Sequence, residues 1–207
     1  MVSTLIRRPL LVQSGGTSSP TPIYTLAAST TEVSYDTGVK LFDTPKSFTI
    51  LCQAYVNIYP WQSVQTMFGL DTGWRFRVGR VNSGNPYYSN VVGTASSYYC
   101  ALTFNNTATD PDTQKCRSMY SRGSNAKSTK RIAVRYDHTT HRVEGNAPQI
   151  TAPGTGWWLL SDDISTEDTI KLNVSIANGC RIDTFVVYND ILSDAAVNDF
   201  LNDGVVV

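Results

Sequence analysis

Glutamate and lysine are scarce: the chain holds three Glu and six Lys in 207 residues. Both are good helix formers, so their near-absence argues against a helical bundle. Apolar runs never exceed a few residues, which excludes a membrane-spanning helix. Neither sign of charge dominates, with 17 Lys+Arg against 17 Asp+Glu. A dedicated nucleic-acid binder usually carries a basic surplus, and none is present. Histidine occurs only twice, as His138 and His141, and no Ser-His-Asp context surrounds either. The four cysteines, Cys52, Cys100, Cys116 and Cys180, are too widely spaced for a CxxC zinc or redox motif. We take all four as reduced, with two disulfides as the alternative, since a chain of this length does not need them. The N-terminus lacks a secretory signal, because the only apolar stretch after Arg7 and Arg8 is Leu10-Leu11-Val12. The chain is then kept inside the cell, released by lysis, or has lost its signal.

What is present is β chemistry. Ser and Thr together number 44, with 19 Val, 11 Ile and 11 Tyr. These are strand and turn residues. Hydrophobic residues make up 41% and charged residues 16%, enough apolar material for a full core and too little charge for a disordered chain. Period-2 alternation recurs: Phe48, Ile50, Cys52, Ala54 and Val56; Trp74, Phe76 and Val78; Ile132, Val134 and Tyr136; Ile170, Leu172, Val174 and Ile176. Each such run predicts a strand with one buried and one wet face. Ile182 to Tyr188 is more continuously apolar and reads as an inner strand. One short helix is predicted near the end, capped by Ser193, with Leu192 and Val197 as a hydrophobic staple and Gly204 as its stop.

Residues 1–22 read as an extended arm. Leu5, Ile6, Arg7, Arg8, Leu10, Leu11 and Val12 precede the linker-like run Ser14 to Pro22. The arm is expected to anchor the domain, residues 23–207, to other subunits.

The stretch Ile182 to Val197, with an aromatic-Asn pair running into Leu-Ser-Asp, resembles the closing segment of concanavalin A-like/laminin G-like domains. Asp43 to Ile50 resembles that family's early Phe-Thr-Ile strand. Arg131 to Asp137 followed by Arg142 to Gly145 resembles its central hairpin. The resemblance spans roughly residues 35–204. It departs at Lys127-Ser128-Thr129-Lys130, where a Trp is often found, and at Glu144-Gly145, where Asp-Gly is usual. It implies an all-β fold, a two-sheet antiparallel jelly-roll sandwich of about 12 to 14 strands. Calcium positions of the family find no clear match. Asp110, Asp112, Asp162 and Asp163 are loop acids without a dense Asp-x-Asp-x-Asp pattern, so no metal or other cofactor is assigned.

Catalysis finds no constellation. Glycoside hydrolysis needs two carboxylates about 5–10 Å apart, and Glu32, Glu144 and Glu167 are scattered. The chain is expected not to be an enzyme. Recognition has better candidates. Tyr87-Tyr88, Tyr98-Tyr99 and Trp157-Trp158 would each place one ring inside and one outside on a strand. Tyr87, Tyr88, Tyr98 and Trp157 are therefore candidate contacts, since exposed rings offer rigid contact area. Residues 115–135 are basic without an acid, whereas five Asp and no base follow Arg181. Lys115, Arg117, Arg122, Lys127 and Lys130 then dock electrostatically on an acidic surface, or the basic stretch lies across the acidic C-terminal region within one domain. The function expected from these features is a non-catalytic structural or adhesion module. The leading reading is a bacteriophage virion protein, a head decoration or fibre located in the virion and held to other virion proteins or sister subunits by the arm. The alternative is a carbohydrate-binding or adhesion module of a bacterial surface or secreted protein, with host-surface glycans as partners. No nucleic-acid partner and no membrane insertion are expected.

Overall fold

A computed structural model describes residues 20–31, 34–40, 47–57, 65–69, 75–82, 98–105, 115–118, 127–140, 142–146, 158–159, 169–173 and 181–207. Twelve strands and one helix lie within them. The strands are β1 (Pro22–Thr25), β2 (Ser34–Lys40), β3 (Phe48–Asn57), β4 (Gln65–Gly69), β5 (Arg75–Asn82) and β6 (Tyr98–Asn105), then β7 (Lys115–Ser118), β8 (Lys127–Asp137), β9 (Arg142–Asn146), β10 (Trp158–Leu159), β11 (Thr169–Asn173) and β12 (Arg181–Tyr188). The helix α1 covers Asp194–Asp203. Two six-stranded antiparallel sheets result, sheet A in the order β1-β12-β3-β8-β9-β10 and sheet B in the order β2-β11-β4-β5-β6-β7. This is the expected jelly-roll sandwich.

The alternation written into the sequence sets the core. Phe48, Ile50, Cys52 and Ala54 of β3 pair with Tyr136, Val134, Ile132 and Lys130 of β8, while Cys52 and Ile50 also pair with Phe185 and Val187 of β12. Apart from Lys130 these are apolar or aromatic and essentially solvent-free. Phe68 of β4 meets Phe185 edge to face, with ring centroids 5.2 Å apart, and so joins the two sheets. Each such side chain contributes about 1.5–3 kcal/mol through burial. Cys52 is a free, buried thiol. Cys116 lies opposite Thr103 rather than Cys100.

One expectation fails instructively. The second face of β3 and β8 is not wet, because α1 lies across it, while β12 is buried on both faces from Phe185 to Tyr188, as its apolar run predicts. Leu51, Ala133, Val186 and Tyr188 form a cluster with Leu192, Val197, Phe200 and Leu201. Thr49, polar and fully buried, is satisfied on this face: its hydroxyl donates to the Asp190 carbonyl at 2.8 Å and accepts from the Leu192 N–H at 3.0 Å. The helix forms where predicted. Ser193 caps it by accepting from the Ala196 N–H. Gly204, at φ 78°, ends it with its N–H on the Phe200 carbonyl at 2.8 Å. A side chain at Gly204 would be strained in the left-handed region and would meet the Arg131 guanidinium at 3.1 Å.

The polar stretch Lys127 to Lys130 is also strand rather than loop, continuing β8 to its pairing with Asn57. The arm residues Leu5, Ile6, Arg7, Arg8, Leu10, Leu11 and Val12 lie outside the described residues. The sandwich itself begins at Pro22, which pairs with Tyr188.

Candidate functional site

Three surfaces carry charged or aromatic residues: the helix-covered face of sheet A, the far end of that face, and the outer face of sheet B.

On the covered face, Arg135 is the organising residue. Its side chain is 6% exposed and pairs with the carboxylate of Glu144, itself 10% exposed, through Nε and Nη2. Nη1 donates to the Leu192 carbonyl at 2.9 Å and to Asp194 Oδ1 at 2.7 Å. A buried guanidinium thus joins β8, β9 and the start of α1. One turn of strand away, Arg131 donates to Gln53 Oε1 at 2.9 Å and to the carbonyls of Leu201 and Asn202. The last turn of α1 contains no basic residue. Arg131 supplies from β8 the positive charge that a helix C-terminus favours. The basic stretch therefore meets the acidic C-terminal region inside the domain at these two arginines. Glu144, the acid of the central hairpin, is engaged in holding the fold.

The electrostatic-docking residues fare differently. Lys130 is 3% exposed and lies in the core-facing alternation of β8, so it is not an outward docking cation. Extension of β8 backwards from Arg131 gives it strand geometry opposite Ala54, which turns it inward. Lys127 opens β8, and Lys115 and Arg117 lie on the edge strand β7, opposite Phe104 and Leu102. Arg122 lies outside the described residues. Of the aromatic candidates, Tyr87, Tyr88 and Trp157 also lie outside them. Tyr98 opens β6 opposite Asn82. The register puts Tyr98 in the same alternation as Leu102 and Tyr99 in the other.

The turn after β8 is a local structure. Asp137 accepts from the Thr139 N–H at 2.8 Å and the Thr140 hydroxyl at 2.7 Å. These bonds, led by the Thr140 hydroxyl, hold its carboxyl below the usual aspartate range. His138 donates its backbone N–H to Ser47 Oγ, and His141 lies outside the described residues. Among the described residues no three His, Cys, Asp or Glu side chains gather as a metal site needs. Asp110, Asp112, Asp162 and Asp163 lie outside them.

At the far end of sheet A, Arg181 and Asp183 of β12 come together. Arg181 Nε donates to Asp183 Oδ1 at 2.6 Å, and Ser29 Oγ donates to the same oxygen at 3.2 Å. The guanidinium also lies over the Tyr55 ring, 5.1 Å from its centroid.

On sheet B the register draws a lateral row across the outer face: Asp36, Lys171, Gly69, Arg77, Thr103 and Cys116 occupy successive strands. Two residues along, Arg75 lies opposite Asn105, and in the other direction Gly79 lies opposite Ala101 and Val81 opposite Tyr99. Arg75 and Arg77 thus lie on β5 and Lys171 two strands away on β11, with Gly69 of β4 between Lys171 and Arg77 in the row. No single run of sequence displays this grouping, because three strands supply it.

No protein-family model matches the chain, and no curated protein matches it by sequence. Solved structures share its fold. The carbohydrate-binding module CBM40 of the Ruminococcus gnavus IT-sialidase, bound to alpha2,6 sialyllactose, superposes with a TM-score of 0.54 at 14% identity, over 88% of this chain and 100% of the module. The NanB sialidase of Streptococcus pneumoniae gives 0.53 at 13% identity over 86% of this chain and 28% of the enzyme. The receptor binding domain of botulinum neurotoxin D gives 0.51 at 8% identity, over 83% of this chain and 41% of that one. The jelly-roll sandwich is thus one that carbohydrate-binding modules and a toxin receptor-binding domain adopt.

Proposed function

We propose that this chain is a non-catalytic carbohydrate-binding or adhesion module of a surface or secreted protein, and that it takes an acidic glycan on the outer face of sheet B. The observation that carries the reading is the extent of the match. The fold match covers the whole of a carbohydrate-binding module whose structure holds sialyllactose. Fold alone does not fix function, so the site has to support it. Arg75, Arg77 and Lys171 share one face, and a guanidinium recognises a carboxylate with two parallel hydrogen bonds. Gly69, between Lys171 and Arg77 in the lateral row, is itself buried and brings no side chain between them. Tyr87, Tyr88, Tyr98 and Trp157 remain the candidate aromatic contacts, with Tyr98 opening β6. Exposed hydrogen bonds to neutral groups add little in competition with water, so charge-assisted bonds and ring contact are the sources of affinity. Lys115, Arg117, Arg122 and Lys127 then act on approach rate and salt dependence.

The virion reading rests on the arm, the missing secretory signal and the lack of a catalytic constellation; no structure of like fold supports it, whereas carbohydrate-binding modules of this fold support the glycan reading, which takes precedence. Calorimetric titration with sialyllactose and with lactose tests it. We expect binding of the acidic sugar that Arg77→Ala weakens about tenfold, the loss of ~1.4 kcal/mol that one good charge-assisted contact supplies. A glycan array blank for acidic and neutral sugars alike would overturn the reading.

A further inference from the structure

The geometry points to a second saccharide subsite on the opposite sheet, at Arg181 and Asp183, which takes a vicinal diol of a neutral hexose. This inference rests on the reading of the chain as a glycan-binding module but uses a different face.

Four observations carry it. First, Asp183 is the extra residue of a β-bulge, since Ile182 pairs with Ala54 and Thr184 with the adjacent Gln53. Bulges re-aim side chains and gather near functional sites. Second, the arginine is held on two sides. Its Nε is bonded to Asp183 Oδ1 and its plane lies over Tyr55. A long side chain with a side-chain exposure of 47% would otherwise sample many rotamers, and fixing it in advance removes that cost from binding. Third, the bonding is one-sided. Asp183 Oδ1 takes both described donors, Arg181 Nε and Ser29 Oγ. Among the described residues neither Asp183 Oδ2 nor the two Nη groups of Arg181 have a hydrogen-bond partner. An acceptor and a fork of donors are therefore left side by side. Fourth, the pair carries no net charge, which disfavours a free anion there.

Adjacent hydroxyls of a pyranose complement this arrangement. One hydroxyl donates to Asp183 Oδ2, and its neighbour accepts from an Nη–H of Arg181. Both bonds have an ionised partner, the class that retains a net contribution in water. Ser29 is delivered to the site by the segment before β2, where Thr30 exchanges backbone hydrogen bonds with Ile182 at 2.9 and 3.0 Å. The subsite thus has a backbone frame on both sides.

The test is a titration of the full chain with lactose and separately with sialyllactose, followed by amide NMR shifts. Lactose is expected to shift the amides of Ser29, Thr30, Tyr55 and Arg181 to Thr184. Arg181→Lys keeps the charge but removes the fork, and should weaken lactose at least tenfold. Asp183→Asn should do the same. Neither change should alter the response of sheet B to sialyllactose. Should Asp183→Asn disturb the fold, the Arg181→Lys variant carries the test alone. Lactose shifts confined to sheet B, or lactose binding indifferent to Arg181→Lys, would overturn the inference and leave the glycan-binding reading intact. A chain that responds to neither sugar overturns both.

Discussion

The two sheets share a core but treat their outer faces in opposite ways. Sheet A buries its outer face beneath α1. Leu51, Ala133 and Val186 pack on Val197 and Phe200, and two arginines of β8 hold the two ends of the helix. In sheet B the register sets Arg75 and Arg77 at alternate positions of β5, with Lys171 and Gly69 in the same lateral row as Arg77, and no described helix packs there. Both faces contain arginine, yet the physical roles differ. A cation whose partners are a buried carboxylate and helix carbonyls is part of the fold. On our proposal, the cations of sheet B instead meet a ligand. The sign of the residue says nothing about its role; what packs above it does.

That contrast can be broken by mutation. The largest effect is expected on the covered face. Phe200→Ala empties a fully buried ring site beneath α1 and should cost about 4 kcal/mol, read from the urea unfolding midpoint. Arg135→Ala should cost about 3 kcal/mol, because it strands the Glu144 carboxylate in a buried site. The double change Arg135→Met with Glu144→Leu should recover most of that loss, and a double variant as unstable as Arg135→Ala would refute the pairing argument. Ser193→Ala removes the helix cap and should cost about 1 kcal/mol in the same measurement. On sheet B, Arg77→Ala should leave stability within about 0.5 kcal/mol, while weakening the acidic glycan. A large drop in stability there would mean that the two faces are built alike.

The smallest effect concerns pH. Asp137 titrates below its ordinary value in the folded chain. The bonds from Thr139 and Thr140 therefore add stability above the unfolded aspartate pKa, and it is lost as pH falls through the lower folded value. The group is largely exposed, so solvent screening leaves no more than a few tenths, about 0.3 kcal/mol. Asp137→Asn should flatten the stability profile below about pH 4 by that amount. For Tyr188 the sign is reversed. Burial raises its phenol pKa, so its contribution is complete below the unfolded value and fades only as pH climbs through the higher folded one.

Much of the fold is legible in the chain because alternation and capping are local. The faces of β3, β8 and β12 follow from Phe48-Ile50-Cys52, Ile132-Val134-Tyr136 and the apolar run to Tyr188. The helix follows from Leu192-Ser193-Asp194 and Gly204. Lys130 was misread because its inward position depends on β8 continuing past Arg131, which Ala54 and Gln53 on another strand enforce. The outer face of sheet A was read as wet because the residues covering it come some 60 positions after β8.

Strand or helix type, the inner faces of the strands and the place of the helix all follow from local sequence. Periodicity and caps act over a few residues, and the side chains that decide them are neighbours in the chain. Tertiary structure alone decided which charges are structural. Five Asp without a base follow Arg181, and only the docking of α1 on β8 brings Arg135 to Asp194 and Arg131 to the carbonyls at the helix end. It also decided which residues share a surface, since the row from Lys171 through Gly69 to Arg77 exists only once three strands are in register. Coulomb attraction and hydrogen bonding act across space, over distances that the order of residues does not encode locally.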